Sequence, residues 1–126
     1  AGESTVAKSL FKLRSEAFRR QAGRCHYCDV LMWMDDGPSF ARTHSLSVQQ
    51  AEWLRCTAEH LLARQDGGKD SADNIVAACL RCNRMRHQGW KKALPAERFV
   101  KHVRRMLSRK VWHRAQVFER GLIAGG

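Results

Sequence analysis

Two matched cysteine pairs constrain this chain more than any other feature. They are Cys25-x-x-Cys28 and Cys79-x-x-Cys82, with 50 residues between them. A CxxC turn presents two sulfurs to one ion, and two such turns supply the four ligands of a tetrahedral Zn²⁺. Four sulfurs fill the coordination shell, so this zinc would hold the fold together and take no part in chemistry. The spacing therefore predicts a small domain stapled by a structural zinc.

Other interpretations of the cysteines stay open at this point. All four could be buried apolar residues, or one pair could be a redox pair, which would leave the other pair without a role. His26 lies inside the first pair and could replace a cysteine as ligand. The fifth cysteine, Cys56, has no partner in sequence and is expected in the core of a strand.

The chain is strongly basic. Its 23 Lys and Arg residues outnumber its 12 Asp and Glu residues, for a net charge of +11 over 126 residues. Such a charge suits a polyanion, with nucleic acid as the first candidate and an anionic membrane surface as the second; a merely solvated basic surface is the third. Residues 91–120 hold ten Lys and Arg against two Glu, so this segment is expected to contact phosphates.

The length predicts one domain, residues 1–126. The first twenty residues contain scattered charges, and no run approaches the roughly 18 apolar residues of a membrane span. We therefore expect no membrane partner and an intracellular, cytoplasmic location. In a reducing compartment, paired CxxC motifs indicate a metal rather than disulfides.

Hydrophobic periodicity predicts an α+β fold. Strands are expected at 29–34, from Glu52 to His60 and over "LLARQ" at 61–65, with a loop at 35–39. A first helix is expected at 5–22, with Ser4 or Thr5 as its cap, and a short one near VQQAEW. A third is expected around Leu80–Gln88, where an extended piece passes into a helix, and a fourth after Pro95. A last helix is expected at 109–120, and the tail after it is expected to be frayed.

The order of the motifs resembles the HNH nuclease family. The first CxxC is followed by Glu59-His60, a Gly-Gly loop, Asn74, and a second CxxC with Asn83 attached. The resemblance implies a ββα-metal, treble-clef-like core over residues 25–88. An N-terminal helix would precede this core, and a basic helical extension at 91–120 would follow it.

The chemistry of phosphodiester hydrolysis agrees with this resemblance. A histidine side chain, whose ordinary pKa is about 6.5, can accept a proton from water at neutral pH, and His60 is the candidate base. Glu59 and Asn83 offer oxygen ligands to a catalytic Mg²⁺ or another divalent ion such as Mn²⁺. Neighbours on a strand point to opposite faces, so Glu59 and His60 reach one phosphate only if the strand twists or ends there.

Further roles follow from the family pattern. Asn74 is expected to hold the loop and thereby orient the base. Glu59 stands where Asp is common and Asn83 where many members have His, so metal preference could differ. His87 lies one helical turn after Asn83 and could join the metal, touch a phosphate or be a plain surface residue.

Three arginines flank the second cysteine pair and are expected to meet phosphate oxygens: Arg81, Arg84 and Arg86. The resemblance implies a DNA endonuclease that leaves a 5′-phosphate and a 3′-hydroxyl. The alternative is a non-catalytic, zinc-stabilised nucleic-acid-binding module, and a redox protein is a third possibility. Double-strand cutting by a single-site nuclease would favour a homodimer.

Overall fold

The computed structural model describes residues 9–123. In chain order, these residues form helices and strands that we label α1 (Leu10–Arg20), α2 (Gly37–Thr43), α3 (Val48–Glu52), β1 (Cys56–His60), β2 (Ile75–Cys79), α4 (Leu80–Gln88), α5 (Ala96–Ser108) and α6 (Ala115–Glu119). The predicted α+β class, a small sheet and helices around a cysteine cluster, is confirmed.

A two-stranded hairpin and the helix that follows it form the centre of the fold. β1 and β2 are antiparallel, with Cys56 opposite Cys79 and His60 opposite Ile75. All five residues of β2 are buried, because both α1 and α4 pack on the hairpin. α4 begins directly after β2, and its N-cap is Cys79, whose sulfur accepts the backbone N–H of Cys82. The second cysteine pair is thereby fixed at the junction of strand and helix.

Helix α1 covers the hairpin. Ser9 caps it by accepting the Lys12 N–H, and the helix buries Leu13 and Ala17. The expected helix at 5–22 is therefore observed at Leu10–Arg20; the expected caps Ser4 and Thr5 lie outside the described residues.

Two expected strands are absent from the described residues 9–123. The segment 29–34 makes only isolated bridges, through Val30, Leu31 and Trp33, to three different partners, so no continuous ladder forms. The segment 61–65 is a turn that enters a 3₁₀ turn at Arg64–Asp66. β1 pairs instead with the more apolar segment 75–79, which can be buried on both faces.

Three further expectations are corrected by the structure. The segment 35–39, expected as a loop, contains the start of α2. The Asp36 side chain caps this helix by accepting the Ser39 N–H, and Pro38 fits the first helical turn. The helix at 109–120 shrinks to Ala115–Glu119, since Lys110 and Trp112 have positive φ angles of 55° and 101°. The tail is not frayed before residue 124, because Leu122 is buried and the backbone of residue 123 bridges to Val30.

One hydrophobic cluster includes residues of α1, the first cysteine pair, the hairpin, α5 and α6. Tyr27 and Phe99 are its largest fully buried side chains, in edge-to-face contact at 4.9 Å.

Among residues 9–123, every helix is too short or too polar to cross a bilayer. The boundaries of a core at 25–88 and an extension at 91–120 stay predictions.

Candidate metal centre and active site

The four paired cysteines converge on one point. Their sulfur atoms all lie within 4.8 Å of one another, and all four residues are buried and free of disulfides. The Sγ atoms of Cys28 and Cys79 are 3.8 Å apart. A zinc tetrahedron with Zn–S bonds of about 2.3 Å has edges of about 3.8 Å. The donor set therefore fits a structural Zn²⁺, and the predicted grouping of both pairs around one metal position is confirmed.

N–H groups point at these sulfurs. The Cys79 backbone N–H donates to Cys25 Sγ at 3.3 Å, and the Cys82 N–H donates to Cys79 Sγ at 3.4 Å. Such donors stabilise thiolate charge. Burial raises the pKa of the Cys28, Cys79 and Cys82 thiols, so a bound cation is what would keep them ionised.

Two residues beyond α5 also contact the sulfurs. The Trp112 indole N–H donates to Cys82 Sγ at 3.3 Å, and His113 Nε2 lies 3.2 Å from Cys28 Sγ. Both residues lie about 30 positions beyond the second cysteine pair, and no sequence motif links them to it, so these contacts had no signal in the sequence. His26 is not part of the sulfur group, and Cys56 is a separate buried core residue, as expected.

Glu59 lies in the interior on the α4 face of β1, with 2 % of its surface exposed. Its Oε2 accepts hydrogen bonds from Arg86 Nη1 at 2.6 Å and from the Tyr27 hydroxyl at 2.9 Å. Its Oε1 lies 3.0 Å from His87 Nε2. Burial and then the Glu59 charge raise the pKa of Tyr27, so this hydroxyl remains a donor. One carboxylate oxygen is therefore saturated inside the protein, while the other faces His87.

Arg86 is an internal clamp. It is 3 % exposed and also donates to the backbone oxygens of Leu94, His60 and Leu61, which ties α4 to the end of β1 and to the segment before α5. The sequence assigned Arg86 to phosphate contacts. The structure instead turns its guanidinium into the interior, away from where a phosphate could bind.

Asn83 and His87 lie one turn apart on α4 and face the hairpin. Asn83 Nδ2 donates to Thr57 Oγ1 at 3.0 Å, which leaves its Oδ1 without a hydrogen bond among residues 9–123. The His87 side chain is 34 % exposed and lines a groove of about 1030 Å³, together with Asn74 and Lys92. The i, i+4 spacing with Asn83 was the sequence signal for His87, but it could not distinguish a ligand from a surface residue.

His60 belongs to a different contact group. Its Nε2 lies 2.7 Å from Asp70 Oδ1, and Arg64 Nη2 donates to Asp70 Oδ2 at 2.8 Å. The hydrogen bonds to His60 and then Arg64 lower the pKa of Asp70 below its ordinary value. Among residues 9–123, no hydrogen bond joins His60 to Glu59 or Asn83. The strand alternation noted from the sequence thus holds at its end, and the three residues do not share one contact group.

Asn74 closes the loop that follows His60. Its Oδ1 accepts the Leu62 N–H at 2.9 Å, and its Nδ2 donates to the carbonyls of Leu62 and Lys69, both at 3.0 Å. These three bonds fix both ends of the loop that carries Asp70.

Arg81 and Arg84 lie on α4 with their guanidinium groups over indole rings. Arg81 stacks on Trp112 at 5.1 Å and Arg84 on Trp53 at 5.5 Å. Unlike Arg86, these two arginines donate no hydrogen bond from the side chain within residues 9–123, so their donors are available to a ligand.

A cysteine-stapled hairpin and helix, with an acid, an amide and a histidine at the hairpin–helix contact, define a ββα-metal type of domain. Residues 48–89 match the family model described as HNH endonuclease. The resemblance is thereby confirmed over that segment, about a third of the chain, and it indicates nuclease activity in general. No curated protein and no solved structure gave a significant match.

Proposed function

We propose that this chain is a metal-dependent endonuclease that hydrolyses DNA phosphodiester bonds and leaves a 5′-phosphate and a 3′-hydroxyl. One observation carries the proposal: Glu59 Oε1 on β1 and His87 Nε2 on α4 lie 3.0 Å apart. Neighbouring ligands of an octahedral ion with bonds of about 2.1 Å are separated by about 3.0 Å. The two atoms therefore match one edge of a divalent-metal shell.

The donor set fits a catalytic divalent ion. Glu59, Asn83 and His87 would hold it, since the Asn83 amide oxygen is unpaired and the His87 side opens to the groove. The ion would supply a Lewis acid for the leaving oxygen. Because an imidazole is a softer ligand than an oxygen, the inclusion of His87 favours Mn²⁺ over Mg²⁺.

The remaining residues divide into proton transfer, positioning and binding. His60 would accept the proton of the attacking water, with Asp70 holding its ring and Asn74 holding the loop. Arg81, Arg84 and the basic segment 91–120 would contact phosphates, so binding should weaken as salt rises. The zinc would hold the hairpin against α4. Double-strand cutting with one site per chain favours a homodimer.

Plasmid cleavage tests the proposal. We expect supercoiled DNA to be nicked or linearised with Mn²⁺, and more slowly with Mg²⁺, and a chelator to stop the reaction. His60→Ala should abolish cleavage while DNA binding persists, and His87→Ala should raise the Mn²⁺ concentration needed. His44→Ala is the matched control, since the His44 ring packs on Phe40 and forms no side-chain hydrogen bond within residues 9–123. Equal trace cleavage by wild type and His60→Ala would contradict the proposal.

A second function, a non-catalytic nucleic-acid-binding module, is favoured by one observation. Glu59 is paired with Arg86 at 2.6 Å in the interior, and the His60 ring contacts Asp70 rather than Glu59. Such a module would bind DNA with the same salt dependence with or without a divalent ion. Metal-dependent cleavage that disappears in His60→Ala would exclude it.

A further inference from the structure

A cavity of about 390 Å³ lies at the other end of α4 from His87. Its walls are α3 with the residues after it, the first turn of α4, and the segment 110–117. The side chains that matter for its chemistry are Gln50, Trp53, Arg81, Lys110, Arg114 and Gln116.

Three cations line this cavity without compensation. Arg81, Lys110 and Arg114 form no salt bridge and donate no side-chain hydrogen bond within residues 9–123, and no Asp or Glu belongs to the described lining. Arg81 Nε is also buried without a partner. Like charges gathered around a recess create a positive local potential that attracts an anion, and an anion that enters would screen their mutual repulsion.

The wall at 110–114 is held in an unusual backbone conformation. Lys110 and Trp112 have φ angles of 55° and 101°, in the region that disfavours a bulky L side chain. Trp112 and His113 tie this segment to the sulfurs of Cys82 and Cys28. The surrounding structure thus maintains local strain at the rim of the cavity, as is common at ligand sites. The rim is pre-organised, which lowers the entropic cost of binding.

The other walls suit a planar heteroaromatic group. Trp53 and the 42 % exposed Val111 provide apolar surface. The Gln116 amide can donate to and accept from a base edge, and Gln50, whose Oε1 already accepts the Ser47 N–H, can donate through Nε2. The volume falls in the usual range for small-ligand sites, about 300–1000 Å³. The cations can donate hydrogen bonds to a phosphate, and the flat apolar wall and the amide groups suit a base. Together they match one nucleotide.

We propose that this cavity binds one nucleotide of a nucleic-acid strand, with its phosphate held by Arg81, Lys110 and Arg114. The site is separate from the Glu59–His87 contact. Arg81 and His87 are six residues apart on α4, or about 9 Å along its axis, which corresponds to two or three base steps of about 3.4 Å. The inference deepens the proposed function by assuming a nucleic-acid partner, but it does not depend on cleavage.

Binding is measured on the zinc-loaded protein with no other divalent ion added, so a failure of catalysis leaves the test unaffected. The probes are inorganic phosphate, 5′-dAMP and an eight-residue oligothymidylate. Their binding is detected by NMR of the indole N–H groups. The test variant is Lys110→Gln/Arg114→Gln, in which both residues are exposed. The matched control is Lys12→Gln/Arg19→Gln on α1, which removes the same charge from a helix that does not line the cavity.

We expect 5′-dAMP and the oligonucleotide to shift the Trp53 and Trp112 indole signals, and 5′-dAMP to bind more tightly than phosphate. The test variant should raise both Kd values at least tenfold, and the control less than twofold. Equal losses in the two variants would show diffuse electrostatics and overturn the site. Phosphate binding as tightly as 5′-dAMP would overturn the nucleotide assignment, and binding of 5′-dAMP without the oligonucleotide would overturn the assignment to a strand.

Discussion

At the scale of single residues, Arg86 holds the hairpin–helix contact together. Its guanidinium donates to five oxygens, of Leu94, Tyr27, Glu59, His60 and Leu61. A buried pair of this kind contributes little net stability against an apolar replacement, but removal of one partner leaves the other charge uncompensated. Arg86 is therefore the cation that compensates the buried Glu59 side chain.

Arg86→Met should lower the free energy of unfolding by about 3–5 kcal/mol, because Glu59 would remain buried without its cation. Arg84→Met, at an exposed position two residues earlier on the same helix, is the control and should stay within about 0.5 kcal/mol. Urea denaturation measures both, and the double variant Arg86→Met/Glu59→Gln should recover part of the loss. An Arg86→Met protein as stable as the control would show that the clamp is unimportant.

Asp70 is the residue that orients the candidate base. Asp70→Asn should lower the cleavage rate about ten- to a hundredfold, as found for carboxylates that hold other functional histidines, while the melting temperature changes little. Asp73 lies in the same loop, and its side chain accepts from Ser71 alone within the described residues 9–123, so Asp73→Asn should cleave normally. Indistinguishable rates for the two variants would argue against a positioning role.

The same contact gives a pH signature. The pKa of Asp70 is lowered, first by its hydrogen bond with His60, so the contact is present above the ordinary carboxyl pKa and is lost as the pH falls through the lowered value. His60→Ala should therefore raise the pKa of Asp70, as measured by carboxyl ¹³C NMR. No change on this substitution would contradict the contact.

At the scale of elements, the loop between β1 and β2 depends on one close approach. A Cβ on Gly68 would lie 1.7 Å from the Leu62 carbonyl oxygen, so the backbone must move to accept any side chain. Leu62 is also where Asn74 closes the loop. The close approach at Gly68 and the hydrogen bonds of the Asn74 side chain thus determine together the position of Asp70 relative to His60.

Gly68→Ala should therefore displace the loop, lower the melting temperature and reduce cleavage more than tenfold. Gln65→Ala, at an exposed position in the same loop, should change neither. Thermal unfolding and the plasmid assay measure the two effects. Normal activity in Gly68→Ala would show that the loop conformation does not matter for the reaction.

Elements with strong local signals were predictable, and those that depend on distant partners were not. The helix at Leu80–Gln88 follows from its cysteine cap and its spacing, so its position was confirmed. The prediction of a strand at 61–65 was wrong, because β1 pairs with Ile75–Cys79 instead. The helix at 109–120 failed because the contact of Trp112 with Cys82 draws the chain out of helical geometry.

At the scale of the whole molecule, the cysteine cluster joins segments from both ends of the chain. It links the first cysteine pair, the hairpin with α4, and the segment at Trp112 and His113. A chain of 126 residues has a modest core, so a metal at this point would contribute substantially to folding.

Removal of the metal by a strong chelator should unfold the protein cooperatively. Cys56→Ala should retain one zinc per chain, while Cys82→Ser should retain less, because Cys82 belongs to the cluster and Cys56 does not. Burial raises the pKa of the Cys28 and Cys82 thiols, so protons compete with the metal and zinc is released as the pH falls. Metal analysis and circular dichroism over a pH series measure this; a folded protein without metal would contradict it.

The sequence by itself determined the α+β class, the four sulfur ligands and the family of the segment 48–89, because these depend on residue identity and on short spacings along the chain. Only the tertiary structure decided that Arg86 turns inward, that His87 meets Glu59, that His60 faces Asp70, and that three cations line one cavity. The physical reason is that the direction and partners of a side chain depend on residues far away in sequence, whose approach is fixed only when the core packs.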